Sequence, residues 1–182
     1  YRLTYINLTV EAENGSLDDA VENFGTSRDL LTAGAVMGVA CYNDGPMNDM
    51  VSVDLWSTGP ENFVRIFTPV GGHMVGASQR HTGTAGTGFR LAPVTSGNVN
   101  IMNVNVAYAR IEGLEIDGSG VTASQAVRGI NIQAGLSNVG DIRIDSSIIH
   151  DLHTTLNGLS TEGSMGILDV QTAAGLGPPL LV

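Results

Sequence analysis

The sequence predicts an all-β fold of one kind, a single-stranded parallel β-helix. It reads as a short solenoid of about three coils with an N-terminal capping helix. Three observations predict it. First, short β-branched runs keep returning with only loop between them, at residues 111–116 (IEGLEI), 129–132 (GINI), 142–145 (IRID), 148–149 (II) and 166–170 (GILDV). Each alternates apolar with polar residues, the period of a strand with one buried face. Second, RIEGLEID at 110–117 is echoed by RIDSSIIHD at 143–151, a spacing of 33, and Arg128-Gly129-Ile130 by Met165-Gly166-Ile167, a spacing of 37. Recurrence at about 20–50 residues is the mark of a solenoid. Third, the connectors at 117–124 and 134–138 are loose small-residue stretches rather than two-residue hairpin turns, and none reads as a crossover helix. Parallel strands without helices are built by winding the chain into coils. An antiparallel sandwich is the competing fold.

Composition agrees. Gly is 24 of 182 residues, aromatics are 5% and charged residues 14%, so aliphatics fill the coils and Asn, Ser, Thr and Gly cover much of the surface. There is no lysine. Eight arginines against 18 acidic residues leave a net charge of −10, which makes nucleic acid and anionic membrane poor partners and excludes lysine-based catalysis. The single Cys41 lies in an apolar run and is expected to be a buried free thiol. No apolar stretch approaches the roughly 20 residues of a membrane span, and no signal peptide is recognised at the start. Both ends read as abrupt, as expected of a partial piece or of ends that a partner completes.

In chain order, residues 1–15 read as a strand-like arm and 16–182 as the β-helix domain. The arm's alternating stretch 1–10 lies along the first coil of its own chain or adds to a neighbouring copy. Asn7 and Asn14 open glycosylation-acceptor triplets that are common by chance. Residues 16–24 predict the capping helix: Ser16 is its N-cap, Asp18 and Asp19 sit in its first turn, and Leu17, Ala20, Val21 and Phe24 share a face. Strands at 35–42, 51–56 and 63–68, separated by the turns NDGP (43–46) and STGP (57–60), are expected to make the first full coil. Residues 69–90 form a long Gly, Ser and Thr-rich loop with His73, Arg80 and His81; a solvated loop or subunit contact is the reading ahead of a metal site.

The segment 17–69, with ACYNDGP (40–46), WST (56–58) and ENFVRIFTP (61–69), followed by YARIEGLEI (108–116), resembles a group of pectate-lyase-like right-handed parallel β-helix proteins of bacteriophage and environmental bacteria. The resemblance spans roughly residues 16–170. It implies the right-handed solenoid with its helix cap. For function it implies surface, adhesion or virion modules more often than enzymes, in a superfamily that also holds polysaccharide lyases and hydrolases. The chain departs from those enzymes by its brevity.

Candidate chemistry gathers at strand ends on the later coils, at Asp117, Asp141, Asp145, His150, Asp151 and His153, where stacked coils bring outward residues within one rung of about 4.8 Å. No catalytic set is favoured. Were the protein an enzyme, Asp117, Asp145, Asp151, His150 and Arg143 would carry it. Paired carboxylates would serve glycoside hydrolysis, or acidic calcium ligands with Arg128 or Arg143 a lyase. Against this, Asp and Asn at strand ends mostly cap turns. Asn98, Asn100, Asn103, Asn105 and Asn131 suit a hydrogen-bonded ladder or a sugar-binding face, but Trp56, Tyr42 and Tyr108, the main aromatic platforms, all lie in apolar runs that read as core.

The favoured expectation is therefore a non-enzymatic structural or assembly module on an extracellular filament, cell surface or virion. It would associate with copies of itself through Tyr1, Leu3, Tyr5, Leu8 and Val10 of the arm and Leu180, Leu181 and Val182 of the tail. A carbohydrate-active enzyme and a glycan-binding adhesin, with polysaccharide as partner, are the alternatives. No cofactor is expected; calcium is left open, since Asp44, Asp49 and Asp117 are suitable in type but follow no recognisable loop pattern.

Overall fold

Short alternating runs with no hairpin turns leave each strand to find its partner one full winding away, and that is how the chain is arranged. The computed structural model describes residues 5–8, 17–22, 28–71, 77–122, 126–133, 140–154, 163–169 and 180–181. Strand β1 (Tyr5–Leu8) and helices α1 (Leu17–Glu22) and α2 (Leu30–Ala33) precede the coils. The first coil is β2 (Val36–Ala40), β3 (Pro46–Met47) and β4 (Val51–Val53). The second is β5 (Val64–Phe67), β6 (Arg90–Leu91), β7 (Thr95–Ser96) and β8 (Val99–Val104). The third is β9 (Tyr108–Glu112), β10 (Glu115–Asp117), β11 (Val121–Thr122) and β12 (Val127–Ile132). The fourth is β13 (Asp141–Asp145), β14 (Ile148–His150) and β15 (Ser164–Asp169), after which β16 (Leu180–Leu181) returns to the first sheet.

All strand pairings among the described residues are parallel and in register. A first sheet runs β1-β2-β5-β9-β13-β16, a second β3-β6-β10-β14, a third β4-β8-β12-β15, with β7-β11 at a corner. Period-2 alternation then stacks like on like. Val39, Ile66, Ile111 and Ile144 form one inward column, Met47, Leu91, Ile116 and Ile149 a second, and Val51, Met102, Ile130 and Ile167 a third. Burying each such side chain fully contributes about 1.5–3 kcal/mol.

The β-helix is thus as expected, with corrections. It has about four coils rather than about three. Val64–Phe67 does not close the first coil; it lies over Val36–Ala40 and opens the second. The missing strand of the first coil is Pro46–Met47, which the turn signal at 43–46 concealed. Outward asparagines do form a ladder: Asn131 Nδ2 donates to Asn103 Oδ1 at 2.9 Å, and Arg128 Nη1 donates to Asn100 Oδ1 at 3.1 Å. Trp56 and Tyr108 are core, but Tyr42 is exposed. Cys41 is buried and free, its thiol pushed up to about 12 by burial.

The helix α1 lies against β4, the end strand of the third sheet, with Leu17 and Val21 buried in the core. At six residues it cannot stand alone; the coil holds it. Asp18 Oδ1 accepts from Ser52 N at 2.7 Å, so a carboxylate occupies the position that a further strand's carbonyl would take at this sheet edge. Trp56 Nε1 donates to Val21 O at 3.2 Å. Ser16 and Phe24 lie outside the described residues, as do Tyr1, Leu3, Val10 and Val182. The backbone at Tyr5 and Leu8 pairs with β2 of its own chain, and that at Leu180 and Leu181 with β13.

Candidate functional site

On β10, alternation turns Ile116 inward and leaves Glu115 and Asp117 on the outer face of the second sheet. Parallel register sets His150 of β14 beside Asp117, and Arg90 of β6 beside Glu115. Over this face folds the segment 77–89 of the loop expected at 69–90; residues 82–87 are exposed, as expected of a solvated loop, while Gly88 and Phe89 are buried. Gln79 N donates to Pro69 O at 2.8 Å, Phe89 N donates to Gln79 O at 2.9 Å, and Phe89 is buried. Glu115 is consequently 0% exposed although it points away from the core.

The polar groups converge here. Gly86 N donates to Glu115 Oε2 at 2.7 Å and Oε1 at 3.0 Å, and His150 Nε2 lies 2.9 Å from Oε1. His150 Nδ1 lies 2.7 Å from Asp151 Oδ2 and 3.9 Å from Asp117 Oδ1. Asp117 also accepts from Ser119 N at 2.8 Å and pairs with Arg90 Nη1 at 3.1 Å. Burial alone would raise the Asp117 carboxyl, but the Ser119 bonds and the charges of His150 and Arg90 outweigh it and hold the group below its usual range. Burial would likewise lower the His150 imidazole, yet its bonds to Asp151 and Glu115, with the charges of Asp117 and Glu115, raise it.

The nearest oxygen and nitrogen atoms of Glu115, Asp117 and His150 lie within 4.8 Å of one another, compact enough for a small cation. As arranged, Glu115 and Asp117 already accept from backbone amides of Gly86 and Ser119, and both ring nitrogens of His150 face carboxylates. Asp44 and Asp49 belong to no such group among the described residues; Asp49 instead accepts from Asp18 N at 2.9 Å.

The predicted residues are thus divided. Asp117, His150 and Asp151 come together, with His153 at the margin, 3.6 Å from Asp151. Asp145 and Arg143 do not join them: both lie on β13 in the first sheet. There Arg143 and Arg110 share Asp141 at 2.6 and 3.0 Å, and Arg65 grips Glu112 through two bonds of 3.0 and 2.6 Å. Arg80 Nε donates to Thr68 Oγ1 at 3.4 Å, and His81 Nε2 meets Ser146 O at 2.7 Å. His73 lies outside the described residues. Sequence reasoning missed Glu115 and Arg90. The two-residue spacing of Glu115 and Asp117 already put them on one face; the burial of Glu115 follows from a cover that arrives from the preceding coil.

Chemically, a hydrolytic pair needs two carboxylates that a sugar can reach. Glu115 and Asp117 are buried and hydrogen-bonded by the chain itself. Comparison with known proteins adds no candidate. No protein-family model, curated protein or solved structure matches the chain. The parallel stacked sheets are those of a β-solenoid.

Proposed function

We propose that this chain is a non-enzymatic structural module of the pectate-lyase-like β-helix type, used on an extracellular filament, cell surface or virion and associating with copies of itself through its arm and coil ends. The observation that carries this reading is that outward polar groups are tied to neighbouring coils of the same chain. Arg65–Glu112 and Arg110–Asp141 do so on the first sheet, Arg90–Asp117 and His150–Glu115 on the second, and Asn103–Asn131 on the third. Such cross-coil ties stiffen a rod, using the outward groups' hydrogen-bonding capacity between windings of the same chain. Self-association is supported by the ends. Ile148, Ile149, Ile167 and Leu168 of the fourth coil are only half-buried, whereas Ile116, Ile130 and Ile132 one coil earlier are buried. The first sheet ends in the short strands β1 and β16, and strand edges recruit strands.

Light scattering and negative-stain microscopy of the full chain test this, beside a deletion of residues 1–15 and the pair Leu180→Ser and Leu181→Ser. Ordered oligomers or filaments weakened by these changes are expected. An intact chain that stays monomeric at high concentration, or an assembly indifferent to all of them, would remove the reading. The exposed Asp151 beside His150 keeps the carbohydrate-active alternative testable. Loss of polysaccharide cleavage in a folded Asp151→Ala variant would establish it.

A further inference from the structure

We propose that His150 is a proton-operated clasp that, through Glu115, fastens both the fourth coil and the 77–89 segment to β10, tight in mildly acidic solution and slack in alkaline. The proposal concerns regulation of the fold and does not depend on whether the chain assembles. His150 Nε2 lies 2.9 Å from Glu115 Oε1 while Nδ1 lies 2.7 Å from Asp151 Oδ2. A neutral imidazole carries one N–H, so only the imidazolium can donate to both carboxylates at once. Glu115 is wholly buried, and the same carboxylate receives the amide of Gly86 in the covering segment. Deprotonating His150 therefore withdraws the counter-charge from a buried anion and leaves one N–H for Glu115 and Asp151 to compete for, a state relieved by admitting water beneath the cover.

The groups around the ring favour a bound proton. Glu115 and Asp117 face it from β10, Asp151 adjoins it, Arg90 reaches it only through Asp117, and His153 stands beyond Asp151. From the cover, His81 bonds the carbonyl of Ser146 two residues before β14. Burial opposes charge on His150, but its carboxylate partners prevail and raise its pKa. Ser146 and Asp151, flanking β14, hold φ of 50° and 53° without being glycine. Such backbone persists only where its surroundings hold it, so loosening the clasp lets β14 relax. His81 is a separate fastening: its Nδ1 accepts from Gly83 N at 3.2 Å within the covering segment.

NMR of the full chain from about pH 5 to 9 tests this, following the His150 ring, the Gly86 amide shift and the Gly86 protection factor corrected for intrinsic exchange. The His150 midpoint is expected above the ordinary value of about 6.5, with the Gly86 shift titrating at the same midpoint. Protection should fall as pH rises above about 6.5, by at most about tenfold per pH unit, the slope of one proton. His150→Gln should abolish the Gly86 titration, and His81→Gln should keep it. Should His150→Gln fail to fold, Glu115→Gln serves, by lowering the His150 midpoint. A Gly86 amide that stays flat while His150 titrates overturns the proposal. So does a His150 midpoint at or below about 6.5, one that Glu115→Gln leaves in place, or a Gly86 titration that vanishes with His81→Gln.

Discussion

Asn131 and Asn103 stand in register on β12 and β8, and the side-chain amide of the first donates to Oδ1 of the second at 2.9 Å. The bond repeats in side chains what the parallel backbone does beneath it. Asn131 is 1% exposed, so its polar atoms have no solvent to turn to. Asn131→Ala is expected to cost about 0.5–1.5 kcal/mol, the net worth of its hydrogen bond to the half-buried Asn103. Urea denaturation measures it; a change below about 0.5 kcal/mol would show the ladder to be dispensable.

Trp56 joins the cap to the first coil through Val21 O. Trp56→Phe keeps an aromatic ring but removes the donor and leaves a gap. A loss of about 1–3 kcal/mol is expected. If α1 is a cap in energetic terms, Asp18→Ala should destabilise too, by stranding Ser52 N at the sheet edge; thermal unfolding of both variants reads the effect.

Gly113 links β9 to β10 at φ 77°, and a Cβ there would collide with the Arg80 guanidinium and Thr68 Oγ1. Gly113→Ala therefore suffers both backbone strain and a clash with the covering segment, and should lose more than about 1 kcal/mol. Faster proteolysis within 77–89 would accompany it; unchanged stability and cleavage would contradict the packing described.

Leu55 shows the opposite case. It holds φ 61° with its side chain 78% exposed, so replacing it gives up little packing. Leu55→Asn, a residue that tolerates left-handed backbone, should raise stability by up to about 1 kcal/mol. A lowered melting temperature would mean that the leucine makes a contact worth the strain.

The pH dependence of stability has a defined sign on each side. The carboxyl of Asp117 is held low by Ser119, His150 and Arg90 in spite of burial, and that of Asp141 chiefly by its hydrogen bond from Arg143. Their stabilisation is complete above the unfolded carboxylate value near 3.9 and is lost as pH falls through the lower folded values. His150, raised by Asp151 and Glu115 against its desolvation, behaves in reverse. Its stabilisation is complete below about 6.5 and lost as pH rises through the higher folded value. Stability should therefore peak between about pH 4 and 6.5, and His150→Gln should flatten the alkaline side. Urea midpoints across pH decide it.

Much of the fold was legible because a solenoid repeats its physics. The alternation in 111–116 and 142–145 marked inward faces, and the echo of RIEGLEID by RIDSSIIHD marked strands that now lie in register, Arg110 beside Arg143 and Ile111 beside Ile144. Strands of two residues were not legible. Pro46–Met47 and Arg90–Leu91 are too short to show a period and owe their pairing to the coils beside them. That shortfall is why three coils were expected and about four are present.

The candidate site divides the same way. By itself the sequence determined which side chains face outward, since a period of two settles that locally: Glu115 with Asp117, and Arg143 with Asp145. Only the tertiary structure decided which outward residues meet. Register between windings set His150 on Asp117 and sent Asp145 to another sheet, and the fold of 77–89 over β10 turned an outward glutamate into a buried one. Those contacts join residues about 30 positions apart, where no local preference acts and only the packing of whole coils chooses the neighbour.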